Sequence, residues 1–156
     1  MKQHHYTTNL KWTCAPGEGT TSYTSYSRDH TITANNKKIA IPSSSDPSFR
    51  GNSEHYNPEE LLVASLSSCH MLWYLHLCST HKIIVLGYQD EASGIMEETK
   101  DGSGRFTEVI LQPKVTISAE SDLEKAHQLH HEANKLCFIA NSCNFKISHK
   151  PVINLE

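Results

Sequence analysis

The segment from Leu61 to His81 contains no Asp, Glu, Lys or Arg, and it restricts what this chain can fold into more than any other feature. It follows Asn57-Pro58-Glu59-Glu60, a helix start with an Asn N-cap, Pro at the first helical position and two acids in the first turn. From Leu61 to Leu77, apolar or small side chains such as Val63, Ala64, Leu66, Met71, Leu72 and Trp73 then occupy every face. Such a helix has to be covered all round. A membrane span is the rival reading on length, but Ser65, Ser67, Ser68, His70, His76 and Ser79 make the segment polar for lipid, so no membrane is expected. A chain of 156 residues with 37% hydrophobic content supplies one modest core. The cover is therefore expected to be shared with a second copy, in an obligate homodimer.

The rest of the chain reads as one α+β domain spanning 1–156. Breaker-rich loops are expected at Ala15-Pro16-Gly17-Glu18-Gly19, from Pro42 to Asn57, and at Lys100-Asp101-Gly102-Ser103-Gly104. Short alternating runs at Leu10/Trp12, Tyr23 to Ile32 and Ile39/Ile41 suit three antiparallel strands. Two longer strands, Lys82 to about Glu98 and Arg105 to Ser118, flank the Asp-Gly-Ser-Gly turn as an extended hairpin. A second helix opens on the capping box Ser121-Asp122-Leu123-Glu124, with Leu123, Ala126, Leu129/His130, Ala133 and Leu136/Cys137 at helical spacing. A last run, Phe145, Ile147, His149, Val152 and Ile153, closes the chain, and Pro151 points to an edge or a bulge. The order is β-β-β-α-β-β-α-β.

The formal charge of −3, with Lys and Glu mixed along the chain, leaves no basic stripe, so no nucleic acid is expected as partner. The amino terminus lacks the apolar h-region of a secretory signal, and a cytoplasmic protein is expected. Five cysteines, 14, 69, 78, 137 and 143, lack short paired spacings and argue against a disulfide framework. Each is then a small buried hydrophobe or a working thiol. Cys69 lies midway along the charge-free helix, where burial would silence it and the helix dipole adds little, so its reactivity needs a cation, from Arg28 or Arg50. Cys78, nine residues on, faces the opposite side of the helix. Cys14 and Cys143 read as structural.

Two segments carry a family likeness. Asn57-Pro58-Glu59-Glu60-Leu61, with Cys69 ten residues after Glu59, resembles the NPEEL…C helix of the OsmC/Ohr family. The stretch Leu129 to Ser142, with Cys137 inside Leu136-Cys137-Phe138-Ile139-Ala140, is similar to that family's second cysteine motif, and Tyr26-Ser27-Arg28-Asp29-His30 to the stretch with its functional arginine. The resemblance implies an intertwined homodimer that reduces organic hydroperoxides with no metal or bound cofactor. It implies Cys69 as the peroxidatic thiol, Cys137 as the resolving thiol, and Arg28 and Glu59 as supporting groups, Arg50 being the alternative arginine. An external dithiol, such as a lipoyl group or a lipoylated protein, is the implied reductant. Ten helical residues separate Glu59 from Cys69 by about 15 Å. Glu59 would then serve the partner's Cys69, in an active site at the dimer interface. Glu60, three residues past Asn57, reads as the capping acid.

Two other functions are compatible with the residues. A cysteine-dependent acyl hydrolase would pair Cys69 with His70, but adjacent helical residues diverge by about 100°. A non-enzymatic dimer of the same fold would bind a small ligand or a metal. His127 and His131 are i, i+4 on a helix, yet no third ligand follows at metal spacing, and a packed or solvated face is the simpler reading. His30 and His70 read as core histidines near the thiol.

Overall fold

The computed structural model describes residues 2–14 and 19–156, so Ala15 to Glu18 of the first expected loop lie outside the described residues. Backbone contacts divide the chain into two compact units, Met1–Leu61 and Leu62–Glu156.

In the amino-terminal unit, β1 (Asn9–Trp12), β2 (His30–Thr33) and β3 (Ile41–Ser43) form an antiparallel sheet in that order, with Trp12 opposite His30 and Ile32 opposite Ile41. The three expected strands are present, but the second pairs only from His30 onward. Before it, the Arg28 guanidinium folds back to donate to the carbonyls of Tyr26 (2.5 Å) and Tyr23 (2.7 Å). Those carbonyls are thereby turned away from a ladder. Trp12 Nε1 donates to Ser27 O at 2.7 Å and holds the same bend against β1.

The Pro42–Asn57 loop contains one 3-10 turn, Pro47–Phe49, capped by the Asp46 carboxylate accepting from Ser48 N at 2.7 Å. Arg50 ends it at φ 66°. A Cβ on Gly51 would fall 1.6 Å from Ser45 O, so this close passage of two backbones admits no side chain. The loop delivers Asn57, whose Oδ1 accepts from Glu60 N (2.8 Å) while Glu60 Oε2 accepts from Asn57 N (3.1 Å). That reciprocal pair is the expected capping box. Among the described residues of this unit only Ser43, Ser44 and Asn57 are buried. Leu10 and Ile39 are 65% and 83% exposed, so the sheet has no apolar core within its own unit.

Helix α1 runs Pro58–Thr80. Leu66, His70, Tyr74, Leu77 and Cys78 form its buried stripe, whereas Leu72 is 60% exposed. One face is thus covered within the chain, Leu62, Val63 and Trp73 flank it half-buried, and Leu72 faces outward. By length and composition alone α1 could cross a membrane, with a mean hydropathy of 1.4. Its stripe, however, packs on a sheet and a second helix as a core helix does.

The two long strands after α1 are each broken once. The first becomes β4 (Val85–Asp90) and β5 (Ser93–Glu98), the second β6 (Gly104–Leu111) and β7 (Pro113–Ile117). They pair as the expected hairpin, β5 with β6 and β4 with β7. The final run splits at Lys150-Pro151 into β8 (Lys146–His149) and β9 (Val152–Leu155), which lie parallel to β6 and β7. Two three-stranded sheets result, β5-β6-β8 and β4-β7-β9. The breaks lie at one level because Asp90 there takes over ladder bonds. Its carboxylate accepts from Gln112 N at 2.7 Å and from Ser67 Oγ of α1 at 2.5 Å, and Pro151 has no N–H to offer.

Helix α2 (Leu123–Leu136) is capped by Asp122, whose Oδ1 accepts from Lys125 N at 3.0 Å, one residue later than the expected Ser121. Ser121 Oγ is already engaged, accepting from Ile84 N at 3.0 Å, and a carboxylate is the stronger partner for a helix amino terminus. One apolar cluster unites Tyr74, Leu77 and Cys78 of α1 with Val115 and Ile117 of β7 and Ala126, Leu129 and Ala133 of α2. A second gathers Leu66, Val109 and Leu111 with Phe106, Ile139, Phe145 and Ile147. Each fully buried aliphatic side chain contributes roughly 1.5–3 kcal/mol, and these clusters fix α2 across α1.

Candidate functional site

The crossing of α1 and α2 brings two cysteines together. Cys69 is half-buried in the middle of α1, and Cys137 is the buried C-cap of α2, its N–H bonded to Ala133 O. The chain leaves the helix at Cys137 with ψ 112° and re-enters a single 3-10 turn at Ala140–Ser142. This brings Ala140 N to 3.4 Å from Cys137 Sγ. The Cys69 and Cys137 thiols lie near enough to interact electrostatically. Burial pushes the Cys137 thiol up to about 11, and the neighbouring Cys69 thiol adds to the shift, against the weaker opposite pull of the Ala140 and Ile139 amides. Cys137 is thus a neutral thiol at pH 7. All five cysteines are free.

The other cysteines stand apart from this pair. Cys78 is buried in the first core cluster, on the far side of α1 as its spacing requires, and burial raises it to about 11. Cys143 follows the 3-10 turn ahead of β8, and its Sγ donates to Ile139 O at 3.3 Å. Cys14 is half-buried beyond β1.

One apolar wall adjoins the thiol pair. Trp73 stands one turn beyond Cys69 on α1 and meets Phe138, the residue after Cys137, edge to face at 5.5 Å. Phe138 is 67% exposed, and Leu72, Trp73 and His76 line a shallow cleft. Leu66 and Ile139 point away from this wall into the second core cluster.

Arg28 and Glu59 belong to the amino-terminal unit. Beyond its two carbonyl bonds, the Arg28 guanidinium lies over the rings of Tyr26 (3.9 Å) and Tyr23 (4.6 Å). It borders an apolar hollow with Leu10, Trp12, Tyr26, His30 and Pro58. His30 Nδ1 lies 2.9 Å from Arg28 O. Glu59 is half-buried in the first turn of α1, and Arg50 is exposed at the end of its 3-10 turn.

Sequence reasoning read His70 as a core histidine, and it is buried, but missed the imidazoles grouped with it. His70 of α1 and His130 of α2 face each other with Nε2 and Nδ1 3.0 Å apart, and the His130 ring stacks on Tyr74 at 3.8 Å. His149 of β8 lies 5.5 Å from the His70 ring. Burial holds His70 down at about 4 and His130 at about 3, so both are neutral at pH 7; the neighbouring imidazoles push the same way. The available signal was His130 itself, standing in the apolar stripe between Leu129 and Ala133. His127 and His131 are exposed on α2, and among the described residues no group of three or more His, Cys, Asp or Glu is placed to hold a metal ion.

Comparison with known proteins agrees with this layout. The family model described as OsmC-like protein matches residues 51–151, which include both cysteines. An OsmC-like protein of unknown function from Vibrio cholerae superposes with a TM-score of 0.87 at 31% identity, over 96% of this chain and 100% of that one. An organic hydroperoxide resistance protein from Elizabethkingia anophelis superposes with a TM-score of 0.67 at 18% identity, over 99% and 100% of the two chains, a likeness of fold. The uncharacterized protein YmaD of Bacillus subtilis is 26% identical over 91% of this chain and 88% of its own length.

Proposed function

Because this chain belongs to the OsmC-like protein family, we propose that it is a cytoplasmic thiol-dependent peroxidase that reduces organic hydroperoxides at Cys69 and closes the cycle through Cys137. The observation that carries this reading is the nearness of the two thiols at the α1–α2 crossing, half-buried Cys69 beside buried Cys137.

The Cys69 thiolate attacks the distal peroxide oxygen, forming S–O as O–O breaks, and the departing alkoxide takes up a proton to leave as alcohol. The Cys69 sulfenic acid is then attacked by Cys137 sulfur. An S–S bond forms, and the hydroxide leaves as water with the proton that the Cys137 thiol, held at about 11, still carries at pH 7. Two thiol–disulfide exchanges with an external dithiol restore both thiols and leave that dithiol oxidised. Arg28 orients the peroxide and favours the thiolate, and Glu59 supports it from a second copy of the chain. Two features favour such a homodimer: the coreless amino-terminal sheet and the outward apolar side of α1, each needing cover.

Trp73 and Phe138 form an apolar wall beside the thiols, and each methylene removed from water there contributes roughly 0.8 kcal/mol. Turnover of cumene and tert-butyl hydroperoxides with a lipoyl donor should exceed that of hydrogen peroxide by orders of magnitude, and Cys69→Ser should abolish it. Equal rates on all three peroxides refute the wall, and activity surviving in Cys69→Ser refutes the mechanism.

A further inference from the structure

His70 and His130 take no part in the steps above, yet they join the same two helices as the thiols. Their rings are within 8° of parallel with centroids 5.3 Å apart, and the facing nitrogens are 3.0 Å apart. That separation is what two imidazoles lying side by side in one plane require when a single N–H points straight at the other ring's lone pair. His70 follows Cys69 directly on α1. His130 precedes Cys137 by seven residues, two turns, so the two lie within about 20° of one line along α2. We propose that the His70–His130 hydrogen bond sets the placement of Cys137 against Cys69, making these histidines positioning residues for the capture of oxidised Cys69 by the second thiol.

The reasoning rests on directionality. The contacts of Leu129, Ala126 and Ala133 with α1 are apolar and tolerate small slides and rotations. The imidazole bond does not, because it weakens steeply as the donor angle opens. It is the one side-chain hydrogen bond joining α1 to α2 among the described residues. The rings are held in place as well: Tyr74 stacks on His130 at 3.8 Å and His149 lies 5.5 Å from His70. The pair is also poor packing material. His70 Nδ1 and His130 Nε2 are buried without a partner, a cost that two apolar residues of the same size would avoid. A device that costs stability and fixes geometry belongs where geometry decides a rate. Disulfide closure is such a step, since sulfur must approach in line to about 2.05 Å and a misplacement of about 1 Å costs on the order of a hundredfold.

This inference deepens the peroxidase reading, and its test separates the two. Single-turnover oxidation with one equivalent of cumene hydroperoxide is followed by dimedone trapping of the Cys69 sulfenic acid and by mass spectrometry of the Cys69–Cys137 disulfide. His130→Phe keeps the ring on Tyr74 and removes the bond; His130→Asn puts an amide where Nδ1 stands. The expected result for His130→Phe is sulfenate formation within twofold of the parent and disulfide closure at least tenfold slower, with most of that loss recovered in His130→Asn. Closure within twofold in His130→Phe, or equal rates in the two variants, overturns the proposal. If His130→Phe does not fold, His70→Gln against His70→Met makes the same comparison. Diamide supplies the second arm, because it closes a dithiol without peroxide. If the thiols ignore peroxide but diamide closes them tenfold more slowly in His130→Phe, the peroxidase reading falls and the positioning stands.

Discussion

The Cys69 thiol lies beside that of Cys137 although they are 68 positions apart in the chain, one at the centre of α1 and the other at the cap of α2. Cys78, on the same helix as Cys69, faces the opposite core. Peroxide treatment should therefore link Cys69 to Cys137 and leave Cys14, Cys78 and Cys143 alkylatable. Peptide mapping that finds Cys69 joined to Cys78 contradicts both the site and the helix geometry.

The arginines should separate in kinetics. Arg28 is held by two carbonyls and two aromatic rings, whereas Arg50 is exposed at a turn. Arg28→Ala should lower kcat/KM for an organic hydroperoxide at least about tenfold, the order expected when an activating positive charge is removed, while Arg50→Ala stays within about twofold. The reverse order would move the activating charge to the loop before α1.

Neighbouring acids in the first turn of α1 should do different work. Glu60 closes the capping box with Asn57, so Asn57→Ala should cost about 1 kcal/mol in denaturant unfolding without changing the rate constant of Cys69 oxidation. Glu59→Gln should reduce turnover and leave stability nearly unchanged. A Glu59→Gln enzyme with full activity removes Glu59 from the site.

Acid should destabilise the protein through its buried imidazoles. His70 and His130 are held at about 4 and about 3, below the usual 6.5, by burial first and then by facing imidazoles: His149 for both, with His70 and His127 acting on His130. For a base whose folded value is depressed, the unfolded chain takes up the proton first. Stability is then complete above about pH 6.5 and falls as the pH drops toward 4, by on the order of 3 kcal/mol from His70 alone. Thermal unfolding from pH 7.5 to 4.5 should show the fall, and His70→Gln should flatten it. A pH-independent Tm over that range contradicts a neutral buried pair.

Much of this was legible in the chain because local chemistry dictated it. The Asn57–Glu60 box, the charge-free helix, the Asp-Gly-Ser-Gly hairpin and the amphipathic second helix each depend on residues within a few positions of one another, where sterics and hydrogen-bond reach leave few options. Cys69 and Cys137 were singled out by likeness to a family alone, because the residues around each read as core.

Long-range partnership decided the rest. Nothing local to Lys146–His149 or Val152–Leu155 says that they run parallel to β6 and β7. The common break in the strands depends on one carboxylate, Asp90, reaching both Gln112 and Ser67. Ser121 lost its capping role to Asp122 because a distant amide, Ile84 N, had claimed it. The same holds for the crossing itself. A sequence specifies which face of each helix is apolar, but the angle and register at which two such faces pack follow from the whole set of side chains filling the space between them. That packing alone placed a thiol against a thiol and an imidazole against an imidazole.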